Sequence, residues 1–158
     1  MMESQVESRA LLQSILADQF IFSLVTSHSD AVWVCSCYYA VMASPEPGQM
    51  AIVFHSSAES RHGRMMECNQ AVLGNLYVQA ESIESIRGIQ FEGSSVPVSQ
   101  LALDYSHRAA AVYLQRFGYA REFADLYLWH LQIKSAKITD NRIRFGYKAW
   151  WNSHDFGD

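Results

Sequence analysis

The stretch of this chain richest in reactive side chains is His55-Ser56-Ser57-Ala58-Glu59-Ser60-Arg61-His62. An apolar run from Met50 to His55 reads as a strand, hydroxyls follow it, and a helix is expected to open at Ser56 and run to about Asn69. Glu59, three residues after Ser56, completes an expected capping box. The first turn of a helix carries unpaired N–H groups and a partial positive charge. The hydroxyls of Ser56 and Ser57, the Arg61 guanidinium and the His62 imidazole, gathered at such a turn, suit a phosphate group. The same residues have a plainer reading, in which Ser56 only caps the helix and Arg61 and His62 face water. Glu59 weighs against an anion unless it folds back onto the cap.

A second polar cluster lies in Ser85-Ile86-Arg87-Gly88-Ile89-Gln90-Phe91-Glu92-Gly93. Arg87 and Gln90 interrupt a strand-forming run, and Gly88 marks a bulge or the close approach of a ligand. An amide and a guanidinium on a barrel wall suit the polar edge of a ring system; equally, they could line the solvent face of an antiparallel strand. The six histidines, at 28, 55, 62, 107, 130 and 154, fall at no metal-binding spacing, and no metal site is expected. No G-x-S-x-G elbow is present. Cys35 and Cys37 share one face of a strand, and with Cys68 they make an odd count without a CxxC. They read as small buried residues in a reducing cytosol.

These groups must be positioned by a mostly β scaffold. Ser4 and Glu7 fit a capping box for a helix over residues 4–18. Phe20 to Thr26 and Ala31 to Tyr39 read as a hairpin around His28-Ser29-Asp30. Ser44 to Gly48 reads as a loop, Ala71 to Val78 and Ile86 to Gly93 as further strands. A helix is expected from Pro97 or Ser99 to Gly118, with Leu101, Tyr105, Ala109 and Val112 on one face. Leu126 to Lys134 alternates, and Asp140-Asn141 turns into a last strand from Ile143 to Tyr147. Successive hairpins with alternation predict one α+β domain over residues 1–158, an antiparallel barrel with helices at its edges.

The 158 residues carry a net charge of −4 with no basic stripe, which gives nucleic acid no surface. The polar N-terminus is unlike a signal peptide and no apolar run is long enough to span a bilayer, so a cytoplasmic protein away from membranes is expected. A charged fraction of 18% is low against the usual quarter and hints at surface covered by a partner or ligand.

Four segments carry a family resemblance. Ser60-Arg61-His62 after Phe54-His55-Ser56 resembles the strand-to-helix Ser-Arg-Lys element of pyridoxamine 5′-phosphate oxidase. Tyr113-Leu114-Gln115-Arg116-Phe117 resembles the Arg-Phe-Pro helix end of its relatives, with Gly118 in place of the Pro. Ile86 to Phe91 and Leu131 to Gly146, with Ile138-Thr139-Asp140-Asn141 and Phe145-Gly146, resemble the bacterial YhbP-type branch.

The resemblance implies an FMN-binding split barrel that dimerises, with two flavin sites at the subunit interface. Ser56, Ser57, Arg61 and His62 would hold the phosphate, with His55 close by. Ser36 and Tyr38, on the strand Ser36 to Tyr39, would lie along the isoalloxazine ring. Arg87, Gly88 and Gln90 would approach the ring or ribityl chain. His62 replaces the family's Lys, residues 35–39 lack its basic side chains, and its substrate-binding residues find no match, so oxidation of pyridoxamine phosphate is not expected. Two readings stay open: an FMN-dependent oxidoreductase, or a non-catalytic binding protein that has lost FMN or takes another ligand such as haem. Trp150 and Trp151 follow the last expected strand, and at least one is expected to meet the partner subunit or rim the cleft.

Overall fold

Alternation of apolar and polar residues organises the sheet, as a period of two requires. A computed structural model describes residues 4–156 other than 45 and 47, so Pro45 and Pro47 of the expected loop lie outside the described residues. Its strands are β1 (Ile21–His28), β2 (Ala31–Ala43), β3 (Met50–His55), β4 (Ala71–Tyr77), β5 (Arg87–Pro97), β6 (Leu128–Asp140) and β7 (Lys148–Asn152). The helices are α1 (Gln5–Asp18), α2 (Arg61–Cys68) and α3 (Leu103–Arg116). All pairings are antiparallel, in the order β3-β2-β1-β4-β5-β6-β7. A further β3–β6 pairing closes six strands into a barrel and leaves β7 as an extension of β6.

The barrel is split along β2. Residues 31–38 of β2 pair with β1, whereas β3 pairs only with residues 39–43. The β1–β2 hairpin turns through Ser29, whose φ of 52° is a left-handed conformation that costs a serine about 1 kcal/mol.

Phe22, Leu24, Ile52, Phe54, Trp129 and Leu131 fill the barrel, and Leu12, Ile15 and Leu16 of α1 plug one end. The capping box on α1 forms as expected: Ser4 Oγ accepts from Glu7 N–H at 3.2 Å, and Glu7 Oε2 accepts from Ser4 N–H at 3.0 Å. A second core lies under α3, where Tyr105, Ala109 and Tyr113 cover Met42, Val53 and Leu128. The run Met50 to Phe54 is therefore apolar on both faces because β3 is sandwiched between the two cores. Among the described residues no helix is long and apolar enough to cross a membrane.

Three expected elements are corrected. The helix after β3 opens at Ser60 rather than Ser56: Ser60 Oγ accepts from Gly63 N–H at 3.0 Å. The Ser56–Glu59 box is replaced by a turn in which Ser57 O accepts from both Ser60 N–H and Ser60 Oγ–H. The segment after Pro97 is a short 3₁₀ turn, and α3 proper begins at Leu103. The strand expected over 143–147 is a turn instead. Buried Asp140 accepts from Arg142 N–H, Nε and Nη2 at 2.9–3.1 Å, and Asn141 Oδ1 accepts from Gly146 N–H at 3.1 Å. Those bonds hold the chain in the turn until Lys148, so the last strand carries Trp150 and Trp151.

His130 faces the second core from β6, its ring 5.4 Å from that of Tyr105, and Nε2 is buried without a hydrogen-bond partner among the described residues. Burial pushes its pKa down to about 4 from an ordinary value near 6.5. The unfolded chain then binds the extra proton between those two values, so stability is complete above pH 6.5 and falls as pH drops toward 4. The loss reaches at most about 3 kcal/mol. Urea unfolding at pH 7 and pH 5 should show this acid slope, and His130→Gln should flatten it.

Candidate functional site

The segment between β3 and α2 is held by backbone. Ser56 N–H donates to Tyr127 O at 3.1 Å, and Trp129 Nε1 donates to Ser56 O at 2.9 Å. Tyr127 N–H donates to His55 Nδ1 at 3.1 Å, and the His55 ring lies 5.3 Å from that of Phe123. His55 is thus tied to the β6 entry. Helix α2 sits hard against the turn: a Cβ on Gly63 would lie 2.4 Å from Ser57 O. Gly63→Ala should therefore displace the start of α2 and cost about 1–3 kcal/mol, read as a lowered urea midpoint.

The turn brings some of the expected residues together. Ser56 Oγ and His62 Nε2 are hydrogen-bonded, Ser57 Oγ accepts from Glu59 N–H at 3.2 Å, and Arg61 places its guanidinium 4.2 Å from the ring centroid of Trp33. Trp33, Cys35 and Cys37 share one face of β2, which is the face His62 meets. The Sγ atoms of Cys35 and Cys37 are 3.8 Å apart. The hydrogen bond from Cys37, and His62 beside it, hold the Cys35 thiol well below the usual range, and Cys37 is correspondingly pushed up. Cys37 is buried as expected, but Cys35 is only half-buried and Cys68 is exposed.

Other expected site residues lie elsewhere. Ser36 and Tyr38 point to the outer face of β2, opposite the cysteines. Arg87 is ion-paired with Asp18 at the end of α1, which gives its charge a structural partner. Gln90 stands on the outer wall, in a groove of about 510 Å³ lined by Val25, Leu73, Phe91, Lys137 and Trp150. Lys137 Nζ lies 5.8 Å from the Trp150 ring centroid. Val32, Val34, Tyr38 and Leu73 extend this wall as exposed apolar side chains. Trp150 rims the groove at 63% exposure, whereas Trp151 is 1% exposed inside the chain's own barrel.

Sequence reasoning missed the meeting of His62 with Cys35 and Cys37, and the part of Lys137 in the groove; a tryptophan at the rim is expected from the sequence, and Trp150 is the one that stands there. The shared face of the cysteines was legible from their spacing; the arrival of His62 from α2 is a tertiary fact.

No family model matches the sequence. A UPF0306 protein of Photorhabdus laumondii is 32% identical over 145 residues, covering 92% of this chain and 96% of that protein. The chain belongs to the UPF0306 family. A second UPF0306 protein, from Serratia proteamaculans, is 30% identical over 145 residues, covering 92% and 95% of the two chains.

Among solved structures, this UPF0306 chain resembles a haem-binding protein from Mycobacterium smegmatis with a TM-score of 0.74 at 14% identity, over 99% of this chain and 61% of that one. It resembles a putative pyridoxamine 5′-phosphate oxidase from Listeria innocua with a TM-score of 0.62 at 9% identity, over 85% and 98%. A FAD-binding protein from Mesorhizobium loti gives a TM-score of 0.61 at 11% identity, over 85% and 90%. The fold is the split barrel of the pyridoxamine 5′-phosphate oxidase type.

Proposed function

We propose that this UPF0306 chain is a cytoplasmic homodimer that holds FMN at its subunit interface and serves as an FMN-dependent oxidoreductase. The observation that carries this reading is the donor set between β3 and α2. The hydroxyls of Ser56 and Ser57, the imidazole of His62 and the guanidinium of Arg61 lie on seven consecutive residues at a helix start. A phosphate dianion is the ligand group such a set suits. The groove supplies a second feature in favour: apolar walls with Asn75, Gln90, Glu92, Ser135 and Lys137 as polar points suit a flat ring with a hydrogen-bonding edge, in the usual size range of ligand sites.

In one chain the phosphate cradle and the groove address opposite sides of β2. The reading therefore takes a second subunit as the cover for the outer face, where Val32, Val34, Tyr38 and Leu73 lie open. FMN, when bound, supplies the redox chemistry. The chain's own residues bind the phosphate, orient the ring and keep water from it. The haem-binding and FAD-binding proteins of the same fold make the choice of ligand a matter for direct titration.

Arg61→Ala removes the one guanidinium at the cradle and a charge-assisted contact of about 1.5–3 kcal/mol. FMN affinity should fall roughly tenfold to a hundredfold, and Arg61→Lys should recover only part, because an ammonium lacks the planar fork. Flavin fluorescence during FMN titration reads this out. Equal affinities for wild type and Arg61→Ala would remove the phosphate from this place.

A further inference from the structure

We infer that Cys35, Cys37 and His62 form a binding site for a thiophilic divalent cation of the zinc type. One ligand atom from each residue lies within 4.8 Å of the other two. The sulfurs are 3.8 Å apart. With a metal–sulfur bond of 2.3 Å, two thiolates at a tetrahedral angle stand about 3.75 Å apart, so the pair already has the edge length that zinc demands. Thiolate and imidazole together select soft and borderline cations over magnesium or calcium.

The positions are set by different parts of the fold, so the cluster is not an accident of one loop. Cys35 and Cys37 are two apart on extended backbone in register with Leu24 and Phe22 of β1. His62 comes from the first turn of α2, with Ser56 Oγ bonded to Nε2. A hydrogen bond of that kind fixes the orientation of a ligating imidazole. Cys37 is buried and the other two are half-buried, so the site has both shelter and an entry path. Two thiolates and a neutral imidazole cancel the charge of a divalent ion, and the two thiol protons leave to solvent as it binds.

A disulfide fits the same cysteines less well. Residues two apart on a strand have Cα atoms about 6.6 Å apart, near the upper limit for a bridge. Three protein ligands leave one position open, to water or a small exogenous ligand, as in zinc sites that do chemistry. The inference does not rest on flavin binding: Cys35 and Cys37 belong to this cluster alone, and only His62 with its Ser56 hydrogen bond is shared with the phosphate reading.

Cobalt(II) added to the fully reduced protein tests it. The expected result is one cobalt per chain, with tetrahedral visible bands and a thiolate charge-transfer band, both abolished by equimolar zinc. Cys35→Ser should lose the charge-transfer intensity, as should Cys37→Ala, with folding checked by circular dichroism. Cys68→Ser, at the exposed cysteine, should bind as wild type does. FMN titration of Cys35→Ser should match wild type whether or not wild type binds FMN. A reduced wild type without the charge-transfer band, or a band of undiminished intensity in Cys35→Ser, would overturn the site.

Discussion

Trp151→Ala should lower the unfolding free energy by about 3–5 kcal/mol, while Trp150→Ala should change it by less than about 0.5 kcal/mol. The two residues are adjacent, yet β7 turns them to opposite faces. Trp151 is paired across from Ala136 and buried in the barrel among the largest side chains of the core. Removing it leaves a void that the closed barrel cannot collapse into. Trp150 is paired across from Lys137 and stands at the groove, so its loss removes rim and not core. Its effect belongs on ligand binding or dimerisation. Chemical denaturation of both variants measures the contrast; similar losses for the two would contradict the assigned faces.

Arg116→Ala should cost about 3 kcal/mol, and Arg116→Lys should recover less than half of it. The guanidinium closes the fold where three elements meet. Nη1 donates to Tyr39 O at 3.1 Å, and Nη2 donates to Gln19 O just after α1. The same plane lies 4.5 Å from the ring centroid of Phe20 and 5.7 Å from that of Phe117. An alanine leaves two carbonyls without their donor and the rings of Phe20, Tyr39 and Phe117 without their cover. A lysine restores a charge at one point but neither the paired donors nor the flat stacking surface. Urea midpoints of the two variants check this. The Arg-Phe helix end that resembles the family's is thus a clamp between α3, β2 and the α1–β1 junction.

Much of the scaffold was legible because it obeys local rules. The Ser4–Glu7 box, the β1–β2 hairpin and the alternation of Trp129, Leu131 and Ile133 each depend on neighbours in sequence. Boundaries failed where longer-range bonds took over. Ser60 displaced Ser56 as the cap because Gly63 lets α2 sit directly on Ser57. The 143–147 strand became a turn because Asp140 and Asn141 spend their side chains on Arg142 and Gly146. The candidate site divides in the same way. The grouping of Ser56, Ser57, Arg61 and His62 could be read because it spans seven residues. Arg87 drew attention as a polar residue in a strand, and its partner Asp18, 69 positions away, could not be read at all. Ser36 and Tyr38 were on the expected strand, but which face they take is decided by where Cys37 and Tyr39 bury.

The most direct test of the central reading is to purify the protein, add FMN, and pass it through a sizing column equilibrated in buffer while recording flavin absorbance and molar mass. The expected result is a yellow species at twice the chain mass carrying one FMN per chain. A folded, colourless monomer that leaves added FMN behind would contradict the account, and a Soret band on added haem in that same species would transfer the site to the other ligand.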